Sequence, residues 1–126
     1  MKQIISTTKA PSAIGPYNQA TAFDKLLFLS GQIPLVPQTM EIIEGGVKEQ
    51  TVQVMENLKA VLEEGNSSFE NVLKTTCYLS DMDNFVAFNE VYGQYFNAET
   101  APARSTVAVK TLPKNVLVEV DTIAFK

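Results

Sequence analysis

The feature that most constrains the fold is a pair of apolar stripes at helical spacing, flanked by segments that favour extended strands. The first stripe begins after Gly45-Gly46, repeats at steps of three and four residues, and stops before Gly65, a residue suited to ending a helix. Its members are Val47, Thr51, Val54, Met55, Leu58, Val61 and Leu62. An apolar stripe on one side of a helix must be covered, so we expect this helix to pack on a sheet.

The second stripe is aromatic and follows the acidic segment 81–83, in which Asp83 is the predicted N-cap. Its members are Phe85, Phe88, Val91, Tyr92, Tyr95 and Phe96. The spacing suits packing against a sheet, and a cofactor-binding face is the alternative that the same pattern permits. We interpret this stripe as core.

Strands are predicted around and between the two helices. They are Ile4-Ile5, two short strands joined by a turn at Phe23–Leu26, the apolar run Leu26–Leu29, then Val72–Leu79, Arg104–Lys110 and Val116–Phe125. The last two are joined by Thr111–Asn115, a connection of hairpin length, so we predict an antiparallel hairpin. The order of elements indicates an α+β fold with both helices on one face of the sheet. The other face is too apolar to remain wet, so we expect an oligomer to cover it.

The residue counts exclude several kinds of chemistry. The 126-residue chain, which suits a single domain over residues 1–126, has no histidine and one cysteine. Ser-His-Asp and Cys-His catalysis, histidine-ligated metals, an intrachain disulfide and a four-cysteine zinc site are therefore impossible within it. We predict that the cysteine, Cys77, is a small buried apolar residue, because it lies inside an apolar strand.

Charge and hydropathy limit the partners. Ten basic residues against 14 acidic ones give a net charge of −4, which argues against binding along a nucleic acid backbone. The first residues lack the apolar segment of a signal peptide, and no apolar run approaches the roughly 20 residues of a membrane span. We therefore expect a cytoplasmic protein that does not bind membranes.

Two charges interrupt the apolar terminal strands, Arg104 at the start of one and Glu119 inside the other. A charge within an apolar strand is costly unless it is paired or used. With the predicted hairpin register, Thr106 lies opposite Glu119, and Arg104 lies diagonal to Glu119 on the same face. Three interpretations stay open: a structural salt bridge, a Glu119 that simply faces solvent, or a site for a small carboxylate, where arginine binds the acid and glutamate transfers protons.

The amino-terminal third offers two weaker signals. Pro16 keeps Gly15 extended, so the Tyr17 hydroxyl is either presented to a ligand or part of a plain surface turn. Ser30-Gly31 ends a buried strand, and the glycine allows a ligand to approach the backbone closely. Neither feature identifies a function alone.

As a set, these segments resemble the RidA (YjgF) family of reactive intermediate deaminases. The matching residues are Ile14–Ala20, Leu29–Gln32, Asn57-Leu58, Pro102–Val107 and Val118–Val120. They occur in the family's order over essentially the whole chain. The arginine segment followed by the downstream glutamate is the most specific part, and both ends are most similar to the enamine/imine deaminase branch.

The resemblance implies a chorismate-mutase-like α+β subunit, with a mixed sheet of about six strands and two helices on one face. It implies a homotrimer in which the sheets form a central barrel and the sites lie in clefts between subunits. The implied reaction is hydrolysis of 2-imino acids, such as 2-iminobutanoate and 2-iminopropanoate, to 2-oxo acids and ammonia, without a cofactor or metal. Such imines arise from enamines that pyridoxal-phosphate enzymes, threonine dehydratase among them, release.

The same resemblance implies roles for individual residues. Arg104 is similar to the residue that binds the substrate carboxylate, and Glu119 to the residue that orients or activates the hydrolytic water. The family positions that line the cleft are matched by Tyr17, Ser30, Gly31, Asn89 and Thr106. The last of these stands where many members have cysteine. A non-catalytic trimer that binds small carboxylates, and a protein that cleaves RNA or inhibits translation, are the alternative functions.

Overall fold

A computed structural model describes all 126 residues and shows one six-stranded sheet with two α-helices. The strands are β1 (Gln3–Ile5), β2 (Ala20–Phe23), β3 (Leu26–Gln32), β4 (Val72–Leu79), β5 (Ala103–Ala108) and β6 (Val118–Phe125). The helices are α1 (Val47–Glu64) and α2 (Phe85–Tyr92). The strand order is β1-β2-β3-β6-β4-β5, with one parallel pair among antiparallel ones, which confirms the predicted mixed α+β fold.

Both helices cover the same face of the sheet, as predicted. The core between helices and sheet is built from apolar side chains of both layers, including Met55, Leu58, Leu62 and Phe88 from the helices and Leu27, Leu79, Val118 and Val120 from the strands. Burying a side chain of this size contributes about 1.5–3 kcal/mol, so this layer holds the helices on the sheet. Neither helix has the length and apolarity that crossing a membrane would require.

The predicted hairpin between the last two strands was wrong. β5 pairs in parallel with β4, and β6 lies between β3 and β4, antiparallel to both. The segment β4-α2-β5 is a strand–helix–strand unit, in which a crossover helix returns the chain parallel to the first strand. The connection that resembled a hairpin turn contains a 3₁₀ turn, with Lys114 and Asn115 both at positive φ, and it carries the chain past β4.

The observed register decides on which face each charge lies. Residues paired across strands share a face, and successive residues alternate. Arg104 pairs with Thr75, which pairs with Thr122, and both threonines are buried beneath the helices. Glu119 pairs with Tyr78 in a row on the opposite, open face. The prediction that Arg104 and Glu119 project from one face of a single chain's sheet was therefore wrong.

The start of the second helix also differs from the prediction. Asp81, and not Asp83, supplies the capping carboxylate, because its Oδ1 accepts a hydrogen bond from the Asp83 N–H at 2.8 Å. A 3₁₀ turn follows, and α2 begins only after it. Tyr95 and Phe96 lie beyond the end of α2, yet both still pack against the core.

The open face of the sheet exposes large apolar side chains. They are Ile4, Phe23, Leu26, Phe28, Val107 and Phe125, each more than a third exposed. A group of this size on one flat face is unusual for a monomer and typical of a surface that another subunit covers. The predicted oligomer stays a prediction that this surface supports.

Candidate active site

Arg104 is held against α2 by three side chains of that helix. Its Nη1 donates a hydrogen bond to Asn89 Oδ1 at 2.6 Å. Its guanidinium carbon lies 4.7 Å from the ring centre of Tyr92 and 5.5 Å from that of Phe85. The three helix residues follow one another at i, i+4 and i+7, so they lie on one side of α2. Arg104 and Asn89, which the family resemblance placed in one cleft, are therefore in direct contact in the structure.

No acidic side chain pairs with Arg104. The salt bridge of the structure joins Lys48 and Glu90 on the surface instead. Arg104 lines an open cleft of about 450 Å³ together with Asn89, Tyr92 and the segment that precedes β5. An arginine that has no counter-charge beside a cleft is suited to binding a carboxylate, because the guanidinium fork matches two carboxylate oxygens.

Thr106 lies next to Arg104 along β5, on the same face of the sheet. The two residues are two positions apart, and the register partner of Thr106 is Cys77. Its Oγ1 is buried and has no hydrogen-bond partner within the chain. We call the following set the arginine half-site: Arg104, Asn89, Phe85, Tyr92 and Thr106.

Cys77 is fully buried beneath the helices, as predicted. Burial raises the pKa of its thiol to about 11. A thiol with so high a pKa is protonated at neutral pH and is a poor nucleophile. Cys77 therefore belongs to the core and not to the chemistry of the site.

Glu119 lies on the open face against the backbone of Gly31. A Cβ atom at position 31 would lie 2.9 Å from Glu119 Cδ and 3.1 Å from Cγ, so only glycine allows this approach. Burial raises the pKa of Glu119, and the nearby carboxylate of Asp121 raises it further. Asp121 accepts a hydrogen bond from the Tyr78 hydroxyl at 3.2 Å. A carboxyl group with a raised pKa binds a proton more readily than a free one, which suits it to general acid–base catalysis.

Two more of the predicted residues lie beside Gly31. The Ser30 hydroxyl donates to the Asn18 carbonyl at 2.6 Å, which fixes its side chain. Tyr17 is half exposed and lines, with Gly31, a cavity of about 320 Å³. We call the following set the glutamate half-site: Glu119, Gly31, Ser30 and Tyr17.

Gln19 anchors the loop that carries Tyr17, and it was not among the predicted site residues. Its buried side-chain amide accepts from the Thr7 N–H at 2.7 Å and donates to the carbonyls of Thr7, Ala10 and Pro11. Its own carbonyl accepts from the Ser30 N–H at 2.9 Å. Gln19 therefore ties the irregular amino-terminal segment to the end of β3.

The structure thus collects the predicted residues into two groups and not one. The arginine half-site lies on the helix-covered face at the β5 edge, and Glu119 lies on the open face of β6, with β4 between the two strands. Sequence reasoning assigned Phe85 and Tyr92 to the core and missed their contact with Arg104. The available signal was Asn89, a polar residue on the same side of the helix as Phe85 and Tyr92.

The fold is that of a small α+β protein with a mixed sheet covered on one face, and comparison with known proteins identifies the family. The family model described as Endoribonuclease L-PSP matches residues 7–126. A RutC family protein of Synechocystis sp. is 56% identical over 123 residues, covering 97% of this chain and 95% of the relative. A 2-iminobutanoate/2-iminopropanoate deaminase of Mus musculus is 43% identical, covering 98% and 91% respectively. The chain belongs to the YjgF/RutC/Rid family, as its motifs predicted.

Solved structures show the same fold. RidA from an Antarctic Psychrobacter species matches with a TM-score of 0.93 at 40% identity, covering 98% of this chain and 99% of the other. TdcF of E. coli, solved with bound serine, matches with a TM-score of 0.92 at 41% identity, covering 98% of each chain. The predicted fold class is therefore confirmed by relatives as well as by the strand order.

Proposed function

We propose that this protein hydrolyses 2-imino acids, such as 2-iminobutanoate and 2-iminopropanoate, to 2-oxo acids and ammonia. The observation that carries the proposal is Arg104, which aromatic rings and an amide hold beside a cleft without any acidic partner. The name of the mouse relative supports the reaction, and serine bound to TdcF supports a small ligand with a carboxylate. The proposal places this activity in the cytoplasm, beside the pyridoxal-phosphate enzymes that release enamines.

The proposed active site forms between neighbouring subunits of a homotrimer. Arg104 and Glu119 lie on opposite faces of the sheet, so they cannot act on one small molecule within a single chain. The arginine half-site of one subunit therefore meets the glutamate half-site of the next. The exposed apolar side chains of the open face support such an assembly, because subunit contact would bury them.

In the proposed mechanism, Arg104 binds the substrate carboxylate and places C2 beside a water molecule at Glu119. Glu119 accepts a proton while the water oxygen bonds to C2 and the C=N bond becomes single. It gives that proton to the nitrogen, which forms a carbinolamine. It then transfers the proton of the new hydroxyl group to the nitrogen as the C–N bond breaks, so ammonia leaves and a carbonyl remains at C2. One water is consumed, and nothing is oxidised or reduced. Proton transfer of this kind typically contributes about 10²–10⁴-fold, and 2-imino acids already hydrolyse unaided in water.

A coupled assay tests the reaction. Threonine dehydratase generates the enamine and imine, and the appearance of 2-oxobutanoate and ammonia is followed with and without this protein. We expect acceleration by the wild-type protein and by Lys48→Ala, a matched loss of a surface cation. Arg104→Ala should give no acceleration, and acceleration equal to wild type would place the site elsewhere. Binding of 2-oxobutanoate without any acceleration would identify a non-catalytic binding protein.

Complementation tests the shared site. Arg104→Ala and Glu119→Ala subunits, each inactive alone, are co-expressed in equal amounts so that mixed oligomers form. If each site takes arginine from one subunit and glutamate from its neighbour, about one quarter of the sites in randomly mixed rings are intact. Recovery of roughly that fraction of the activity is expected. A site formed within one chain would recover none.

A further inference from the structure

The aromatic stripe of α2 has a second contact besides the core. Phe85 and Tyr92 both lie close to the Arg104 guanidinium, with ring centres 5.5 and 4.7 Å from its central carbon. Asn89, between them on the helix, is the hydrogen-bond partner of Arg104. Contact with rings occupies the flat face of a guanidinium and leaves its N–H groups, which lie in the plane, free for a carboxylate.

Tyr92 is also held in place by a hydrogen bond to the sheet. Its hydroxyl lies 2.7 Å from Thr75 Oγ1, and this hydrogen bond is buried. Thr75 on β4 is the register partner of Arg104 on β5, so the arginine and the residue that anchors its ring are neighbours on adjacent strands. The Tyr92 ring also packs on Phe88 and Phe96, with ring centres 5.5 and 4.8 Å away. A ring held on these sides cannot turn away from the guanidinium.

We propose that Tyr92, anchored by Thr75, is a positioning residue that sets the plane of the Arg104 guanidinium for carboxylate binding, with Phe85 as the second, outer ring. This inference rests on the proposed function, because it takes Arg104 as the residue that binds the substrate carboxylate. Arginine has a long side chain with several rotatable bonds, and a bidentate contact requires one orientation of its fork. The rings hold that orientation before the ligand arrives.

The test compares ring removal at two tyrosines of the same cluster. Tyr92→Leu removes the ring beside Arg104, whereas Tyr95→Leu removes a ring whose hydroxyl donates to Glu56 and which does not contact Arg104. Affinity for 2-oxobutanoate is measured by calorimetry, and kcat and KM with imine generated in situ. We expect Tyr92→Leu to weaken binding and raise KM by about 3- to 30-fold, with a smaller change in kcat. Tyr95→Leu should match the wild-type protein.

Two more variants keep the test decisive. Tyr92→Phe retains the ring and removes the hydrogen bond to Thr75, so it should weaken binding less than Tyr92→Leu does. Its kcat should stay near that of the wild-type protein, which a role of the hydroxyl in catalysis would not allow. Phe85→Leu, on the more exposed side, should weaken binding by about 2- to 5-fold and tests the same contact if Tyr92→Leu does not fold. Equal losses in Tyr92→Leu and Tyr95→Leu, or a fall in kcat with unchanged KM, would overturn the positioning role.

The outcomes separate this inference from the proposed function. Wild-type protein that binds 2-oxobutanoate but does not hydrolyse imines refutes the proposed reaction, and the binding series still decides the role of Tyr92. Imine hydrolysis with unchanged affinity in both Tyr92→Leu and Phe85→Leu refutes the positioning role alone. Failure of the wild-type protein both to bind a 2-oxo acid and to accelerate imine hydrolysis refutes both.

Discussion

Replacing Gly31 with alanine tests the placement of Glu119 while leaving its carboxyl group in the chain. The backbone of Gly31 is not in the left-handed region, so alanine is compatible with β3. Its Cβ would nevertheless lie 2.9 Å from Glu119 Cδ, where ordinary contacts begin at 3.4 Å. The Glu119 side chain must therefore move by about 0.5 Å or more at Cδ, and further at its nearer oxygen.

The expected cost of this movement falls on activity more than on stability. Misplacing a reacting group by about 1 Å can reduce a rate by about 10²-fold, so we expect kcat/KM to fall roughly 10- to 100-fold. The atoms met belong to the end of a flexible side chain and not to the backbone. Overpacking strain of about 1 kcal/mol is partly offset by the gain of about 0.4–1 kcal/mol from the less flexible unfolded chain.

The assay is the initial rate of 2-oxo acid formation, with urea unfolding measured in parallel. Gly46→Ala is the control, because a Cβ there meets only Glu49 Oε1, at 3.7 Å. In a Glu119→Ala background, which lacks activity, the readout is urea unfolding, and Gly31→Ala should no longer carry the overpacking cost because the displaced group is absent. Wild-type activity in Gly31→Ala, or an equal loss of stability in both backgrounds, would refute the reasoning.

Three other substitutions probe the surroundings of the site. Asp121→Asn removes a negative charge that raises the pKa of Glu119, so Glu119 should stay ionised to lower pH and the acid limb of the pH profile of kcat/KM should shift to lower pH. An unshifted limb contradicts the coupling between Asp121 and Glu119. The pKa of Glu119 is higher in the folded than in the unfolded chain, so stability falls as the pH rises from the unfolded pKa through the folded pKa. Asp121→Asn should reduce this loss. Gln19→Leu removes the hydrogen bonds of a buried amide and should lower the free energy of unfolding by about 2–4 kcal/mol in urea titrations, whereas a loss below about 1 kcal/mol contradicts the anchoring role. Phe28→Glu places a charge on the open face and should reduce the mass measured by light scattering to that of one chain; an unchanged mass shows that this face is not the interface.

Helix α1 and strand β4 could be predicted because their signals are local. The apolar stripe of α1 is bounded by Gly46 and Gly65, and the helix occupies the residues between them. β4 spans the predicted residues 72–79, where threonines, a tyrosine and apolar residues favour extended structure. Each of these signals depends on neighbours within a few positions, so no knowledge of the rest of the chain was needed.

Strand pairing depends on distant partners, and here the local signal misled. The short connection 111–115 favoured a hairpin, whereas the order of β4, α2 and β5 favoured a parallel return beside β4. The crossover determined the pairing, and β6 then entered between β3 and β4. The register that had placed Arg104 next to Glu119 does not exist, although both residues do interrupt apolar strands as the sequence indicated.

The two charges are therefore uncompensated within the chain, which excludes the structural salt bridge that the sequence left open between Arg104 and Glu119 in one subunit. Each copy presents a cation on one face of its sheet and a carboxylate on the other. A two-fold dimer through either face would bring like charges together, whereas head-to-tail contact brings Arg104 of one copy to Glu119 of the next. Head-to-tail contacts close into rings when the rotation allows it. The charge placement thus favours a cyclic assembly over a two-fold dimer, and the co-expression of two inactive variants tests that preference directly.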